Sequence, residues 1–178
     1  MRPRTVAVAI SVGVAVVTTT ALGPGIAVGW LPEPKDNRAV APRWLEGVGG
    51  KEAAAYLRVT VPADAEDVKG AAVDGWDADS YLLSFTVPHA EAEAIAADLR
   101  LDQPLEHQPP LPPREPPGPV SFAHLGLPSP DTVPNARTGS VCPPCVGDER
   151  RPKLQSIGIT LQDLGGGITR VYLGGNGG

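Results

Sequence analysis

Alternating apolar and polar residues predict two strands early in the chain. Between Tyr56 and Val61, apolar side chains occupy every second position, which is typical of a strand with one buried face. Pro62 ends this pattern. A second, shorter strand is predicted at Gly70–Val73, after a stretch at Asp64–Lys69 with room for one helical turn.

The clearest strand and the clearest helix follow one another directly. The strand is predicted at Ser80–Val87, and the helix at His89–Arg100, immediately after Pro88. On the strand, Leu82 faces away from the other large apolar side chains, Tyr81, Leu83, Phe85 and Val87. On the helix, apolar side chains form one stripe at Ala92, Ile95, Ala96 and Leu99. We expect Thr86 to cap this helix.

A β-hairpin is predicted at the end of the chain. Alternation returns at Ile157, Ile159 and Leu161 and again at 169–173, with a glycine-rich turn between the two runs. An isolated hairpin is only marginally stable in water, so we expect these strands to join the earlier sheet. Two separate modules are the alternative. The predicted fold is α+β, with element order β-β-β-α-β-β and one helix packed on a mostly antiparallel sheet.

A long proline-rich tract separates the helix from the hairpin. Residues 104–152 contain 14 prolines in 49 positions. Proline lacks a backbone donor, so the tract is predicted to be an extended or disordered loop outside the sheet. Its PxxP-like repeats between Pro109 and Pro119 are also suited to an aromatic groove in a protein partner, and a plain spacer is the alternative. The domain is thus predicted to comprise residues 44–103 and 153–174, with 175–178 as a frayed glycine tail.

The N-terminal segment is predicted to direct export. Residues 5–32 carry no charged side chain and follow Arg2 and Arg4. Because roughly 20 apolar residues cross a bilayer, residues 1–31 are long enough for a membrane-spanning helix, and 32–43 then form a stalk. A cleaved signal peptide, which would give a secreted protein, is the alternative. The lipid bilayer is the expected partner of this segment, with the C-terminal part outside the cell.

Two cysteines supply the motif of greatest chemical interest. In Cys142-Pro143-Pro144-Cys145, a polyproline conformation would hold the cysteine Cα atoms about 9 Å apart. A disulfide needs less than about 7 Å, so a bonded pair requires a turn, and we expect a cis Pro143–Pro144 bond. The alternative is a thiol–disulfide oxidoreductase with Cys142 as nucleophile and Cys145 as resolving thiol.

The remaining polar residues predict no catalytic, metal or cofactor site. His89, His107 and His124 lack a regular spacing to the cysteines, which argues against zinc. The acidic residues between 64 and 79 lack the closing Glu of a calcium loop. A net charge of -5 argues against nucleic acid as a partner. These features favour a non-enzymatic interaction module.

Several stretches resemble small exported or membrane-anchored proteins of high-GC actinobacteria. They are 55–65 with 67–70, 81–85 and 170–173, within a likeness that covers residues 51–174. The resemblance implies export or membrane attachment, and it carries over no catalytic residue.

Overall fold

A computed structural model describes residues 43–75 and 78–177 of the chain. The predicted N-terminal helix at 1–31, nearly all of the stalk, Asp77 and Gly178 lie outside these residues. The elements in the described part are seven strands, two α-helices and one 3₁₀ helix at Phe122–Leu125. The strands are β1 (Arg43–Trp44), β2 (Glu66–Asp74), β3 (Asp79–Pro88), β4 (Glu106–Gln108), β5 (Ala136–Val141), β6 (Leu154–Gly165) and β7 (Ile168–Gly177). The helices are α1 (Gly50–Leu57) and α2 (His89–Leu99).

All seven strands form one antiparallel sheet. The strand order is β1-β2-β3-β7-β6-β5-β4, so the α+β class with an antiparallel sheet is confirmed. The predicted element order β-β-β-α-β-β with one helix is wrong, because the described residues form seven strands and two α-helices. The C-terminal hairpin forms as predicted, and β7 pairs with β3 from Asp79↔Gly177 to Pro88↔Ile168. The hairpin therefore joins the earlier sheet across the proline-rich tract.

The two faces of β3 bury different clusters. Leu83, Phe85 and Val87 pack with both helices, and we call this side of the sheet the helix face. Leu82 points to the opposite face, where it meets the 3₁₀ helix. The alternation in β3 and the apolar stripe of α2 are therefore confirmed. The predicted cap of α2 is wrong. The Thr86 hydroxyl donates a hydrogen bond to the Glu66 carbonyl (3.2 Å), and Pro88 is the residue that precedes the helix.

The strand predicted at Tyr56–Val61 is wrong, because Tyr56 and Leu57 are the last two residues of α1 and residues 58–61 belong to no strand. The Glu52 carboxylate accepts a hydrogen bond from the Gly49 N–H (3.0 Å) at the start of the helix. Arg58 ends the helix in a left-handed conformation, with φ of 53°. The apparent alternation arises because Leu57 and Val59 are both buried on either side of this end. The predicted helical turn at 64–69 is also wrong, since β2 begins at Glu66.

Parts of the proline-rich tract belong to the sheet, which corrects the prediction of a loop outside it. The proline-free stretch Ala136–Val141 forms β5, which pairs with β4 on one side and β6 on the other. Phe122 and Leu127 are buried on the opposite face, next to Leu82 and Tyr172. Short runs without proline supply the backbone donors that the tract as a whole lacks.

The glycine-rich end of the chain is not a frayed tail within the described residues. Gly174–Gly177 continue β7, and they pair with β3 and β6. Gly175 is buried, and an added Cβ there would lie 2.5 Å from Leu57 Cδ2. The absence of a side chain thus lets α1 pack closely on the sheet.

In residues 43–75 and 78–177, no helix combines the length and the apolar composition needed to cross a lipid bilayer.

Candidate functional site

The longest exposed stretch in the described chain is proline-rich. We call residues 109–120 the proline segment. All twelve of its residues are exposed, and seven of them are proline. Two apolar side chains, Leu111 and Val120, are 48% and 39% exposed. Because proline fixes φ, such a segment has little backbone freedom left to lose when it binds.

Hydrogen bonds and apolar contacts fix both ends of the proline segment. Near its start, the Leu111 N–H donates to the Asp131 carbonyl (2.8 Å). Beyond its end, the Ser121 hydroxyl accepts from the Ala123 N–H (3.2 Å) and caps the 3₁₀ helix. The Phe122 ring then packs edge to face against Tyr172, with ring centroids 5.2 Å apart. The fold therefore presents an exposed segment on a fixed base.

The two cysteines lie at disulfide distance in a single tight turn. Their Cα atoms are 5.2 Å apart, and the Cys142 carbonyl accepts from the N–H groups of Cys145 (2.9 Å) and Val146 (3.2 Å). The Pro143–Pro144 bond is trans, so the expected cis bond is wrong. The two prolines lie in the first positions of a helical turn, where missing N–H groups cost no hydrogen bond.

A glycine ends this turn. The N–H of Gly147 donates to the Pro144 carbonyl (3.3 Å), and that of Asp148 donates to the Pro143 carbonyl (2.9 Å). Gly147 has φ of +64°, so the pattern is that of a Schellman motif, with glycine in the left-handed position. The turn leaves Cys145 exposed and Cys142 half-buried. It also places the next residue, Asp148, in the protein interior.

Arg151 is the largest fully buried side chain of the described residues, and it joins three parts of the chain. Its guanidinium donates to the carbonyls of Leu57 (3.3 Å) and Arg58 (3.0 Å), which are unpaired groups at the end of α1. It also donates to the carboxylates of Asp148 (2.5 Å) and Asp98 (2.7 Å). Arg151 therefore fixes the ends of both helices to the cysteine turn.

The neighbouring Arg150 lies at the surface edge of the same network. Its guanidinium donates to Asp98 (2.6 Å) and to Asp148 (2.9 Å). Hydrogen bonds from Arg150 and Arg151 hold the pKa of the Asp148 carboxyl well below its usual value, although burial acts to raise it. Hydrogen bonds from the same two arginines lower the pKa of Asp98. The two carboxyls and two guanidiniums form a fully charged network at neutral pH.

The turn geometry favours a structural role for the cysteine pair over thiol exchange. A nucleophilic cysteine is activated by an exposed position at the start of a helix. Here Cys142, the proposed nucleophile, is half-buried, and its N–H donates to the carboxylate of Asp102 (3.3 Å). A nearby negative charge disfavours a thiolate. The helical turn also stops at Gly147, so it provides no helix dipole of useful length.

The predicted polar candidates are spread over the fold. His89 starts α2, where Nδ1 lies 3.1 Å from the Thr169 hydroxyl, and His124 stacks on Trp44 with ring centroids 3.8 Å apart. His107 lies in β4 and shares with His89 a cleft of about 410 Å³. Among the described residues, no three His, Cys, Asp or Glu side chains are arranged to hold a metal ion.

Two of the acidic residues between 64 and 79, Asp67 and Asp74, pair with separate cations. Asp67 contacts Lys69 (3.3 Å) and Arg170 (2.9 Å), and Asp74 contacts Arg43 (3.3 Å). Each of these pairs is at least partly exposed. Asp67 and Asp74 therefore take part in surface ion pairs of β2 and its neighbours.

A cleft on the helix face contains two stacked tyrosines, which sequence patterns did not indicate. The rings of Tyr56 and Tyr81 are 3.6 Å apart at an interplanar angle of 13°. They line a cleft of about 480 Å³ with Glu52 and Lys153. Burial raises the pKa of both phenols, and the nearby Asp79 raises it further. The sequence gives no sign of this pair, because Tyr56 and Tyr81 are 25 residues apart and the alternating pattern predicts a strand at Tyr56.

Comparison of the chain with protein-family models, curated proteins and solved structures finds no match.

Proposed function

We propose that the protein is a non-enzymatic interaction module of the cell envelope that presents the proline segment to a protein with an aromatic groove. The observation that carries this proposal is the complete exposure of residues 109–120 on a base fixed at both ends. A loop that served only as a spacer would need no such anchoring.

The chemistry of the segment supports this type of partner. Proline-rich segments dock on aromatic surfaces, because their rings pack well there and their backbone is already extended. Leu111 adds an exposed apolar side chain between two proline pairs, and Arg114 and Glu115 follow with opposite charges. Prolines supply the contact area, and the charged pair supplies orientation.

The membrane tether of this proposal rests on the uncharged run at residues 5–32. An extracytoplasmic position of the domain is supported by the cysteine pair at disulfide distance, since disulfides persist in oxidising compartments. In this arrangement the proline segment faces the cell exterior or the envelope space. A secreted form after signal cleavage would present the same surface.

Site-specific photo-crosslinking in cells tests the proposal. A benzophenone amino acid replaces Leu111 in one variant and Val146 in a matched control, because Val146 is similarly exposed (37%) but lies on the cysteine turn. We expect a protein adduct from position 111 only, and its loss when Pro112→Ala and Pro113→Ala are added. Adducts that form equally at both positions, or that survive the proline replacements, would overturn the proposal.

A further inference from the structure

We propose that the cleft containing Tyr56 and Tyr81 receives the proline segment of a second copy of this chain, so that copies associate head to tail. This inference rests on the proposed function and names its partner. The cleft and the segment are separate surfaces of one fold, and each has the chemistry that the other requires.

The cleft has an aromatic wall and an apolar base. The stacked rings of Tyr56 and Tyr81 form the wall, and Pro152 and Leu154 line the cleft beside them. A volume of about 480 Å³ is enough for a few proline side chains, and small-ligand sites of this size are common. Aromatic surfaces of this kind bind extended proline-rich chains.

Charges at the cleft match charges on the segment. The cleft is lined by one acidic residue, Glu52, and by three basic residues, Arg58, Arg151 and Lys153. Arg151 is buried and already paired with Asp148 and Asp98, whereas the other three residues are exposed. The segment carries Arg114 and Glu115 side by side. A segment lying in the cleft can pair Arg114 with the acidic side and Glu115 with the basic side, which sets its direction.

The segment in the cleft must come from another copy. The residues that line the cleft come from 48–58, Tyr81 and 151–154, and none belongs to residues 109–120. The chain that follows the segment packs on the opposite face through Phe122, whereas Tyr56 and Tyr81 pack on the helix face. Donor and acceptor surfaces therefore lie on different sides of one sheet.

Such an interface is heterologous, because each copy contributes a different surface. Repetition of a heterologous contact produces a closed ring or an open chain. Wild-type protein should therefore form assemblies that grow with concentration beyond a dimer. A variant that lacks either surface can fill only one role in the contact.

Complementation between two variants of the full-length protein in detergent tests the inference. Tyr56→Ala removes the cleft wall, and the double replacement Pro112→Ala with Pro113→Ala alters the segment at exposed positions. By sedimentation velocity, we expect each variant alone to associate at least roughly tenfold more weakly than wild type. A mixture of the two should form dimers and nothing larger. Association that is unchanged in either variant, or mixing that produces no dimer, overturns the inference.

A conservative variant and a peptide keep the test decisive if Tyr56→Ala misfolds. Tyr56→Phe keeps the ring and should associate like wild type. A synthetic peptide of residues 108–121 should shift the ring proton resonances of Tyr56 and Tyr81 and should compete with self-association. Absence of both effects overturns the inference even if Tyr56→Ala fails to fold.

The two proposals fail in different ways. If the crosslinker at position 111 captures a different protein while wild type remains monomeric, the interaction module stands and the second copy is excluded as partner. If position 111 captures nothing, both proposals fail.

Discussion

The carboxylate of Asp148 pairs with the guanidinium of Arg151, and the two side chains are only 2% and 1% exposed. Buried charges are costly when one partner is missing, because the remaining charge is left without compensation. This pair lies between the cysteine turn and the ends of both helices, so its loss should affect the whole domain.

Asp148→Asn should therefore destabilise the protein strongly. Removing one partner of a buried ion pair costs about 3 kcal/mol, and Asp98 compensates Arg151 only in part. Urea denaturation measures the change in the free energy of unfolding. Glu149→Gln is the matched control, since Glu149 is the exposed neighbour, and its effect should stay within about 0.5 kcal/mol. Equal effects of the two replacements would show that the buried pair is not a stabilising feature.

Stability should fall as the pH is lowered below about 4. Hydrogen bonds from Arg150 and Arg151 lower the pKa of Asp148 and of Asp98 in the folded state below the values of the unfolded chain. Such groups stabilise the fold fully above the unfolded pKa, and this contribution is lost as pH falls through the folded pKa. Urea denaturation midpoints measured between neutral and acidic pH give the change in stability with pH.

The Asp148→Asn variant distinguishes the acid sensitivity caused by this network from that caused by the other carboxyls of the chain. The variant should lose less stability than wild type over the acidic range, because one of the two shifted groups is gone. Parallel pH profiles for the two proteins would assign the acid sensitivity to other residues.

Removal of the cysteine pair should lower stability moderately. A closed loop of this length restricts the unfolded chain by about 2 kcal/mol in the chain-entropy description. Cys142→Ser with Cys145→Ser, measured by thermal unfolding, should match wild type treated with a reductant. The crosslink from position 111 should persist in both, because the turn and the proline segment are separate surfaces.

The oxidoreductase alternative makes the opposite prediction for the same cysteines. A catalytic pair would exchange rapidly with glutathione and would have one thiol of lowered pKa. We expect slow exchange, since Cys142 is half-buried beside Asp102. Fast, reversible exchange with glutathione at neutral pH would support the oxidoreductase role instead.

Elements with strong local periodicity were predictable from the sequence, as β3, α2 and the β6–β7 hairpin demonstrate. Each has a regular apolar pattern bounded by Pro88 or by the glycine turn at 165–167. The sequence predicts a strand at the end of α1, because Leu57, Val59 and Val61 alternate with polar residues there. The signals that could have revealed it are Glu52, which accepts from the Gly49 N–H, and the alanines that follow.

The buried network could not be predicted, because its partners are distant in the chain. Arg151 contacts Leu57 across 94 residues and Asp98 across 53. Arginine is rarely buried, and nothing in the local sequence separates Arg151 from Arg150. The stacked tyrosines were missed for a related reason, since Tyr56 and Tyr81 come together only when α1 packs on β3.

Gly70→Ala should destabilise the fold where α1 meets β2. An added Cβ at Gly70 would lie 2.5 Å from the Gly49 carbonyl oxygen and 2.8 Å from the Gly50 Cα, and both are backbone atoms that cannot rotate away. Overpacking of this kind costs about 1–3 kcal/mol. Gly158→Ala is the control, because its Cβ meets only the Gly174 carbonyl, at 3.9 Å. Similar urea midpoints for the two variants would contradict the close packing of α1.

Full-length protein should remain in the membrane fraction after a high-salt wash and should enter solution only with detergent. The expected cause is the uncharged run at residues 5–32, which is long enough to span a bilayer. Mass measurement of the purified protein distinguishes the two forms of export, because an anchored chain retains residues 1–31 and a cleaved chain does not. Replacing Val14 and Val16 with Asp should release an anchored chain, since charges are costly in the hydrocarbon layer. Intact protein in the soluble cytosolic fraction would contradict both forms and would remove the oxidising environment that the cysteine pair implies.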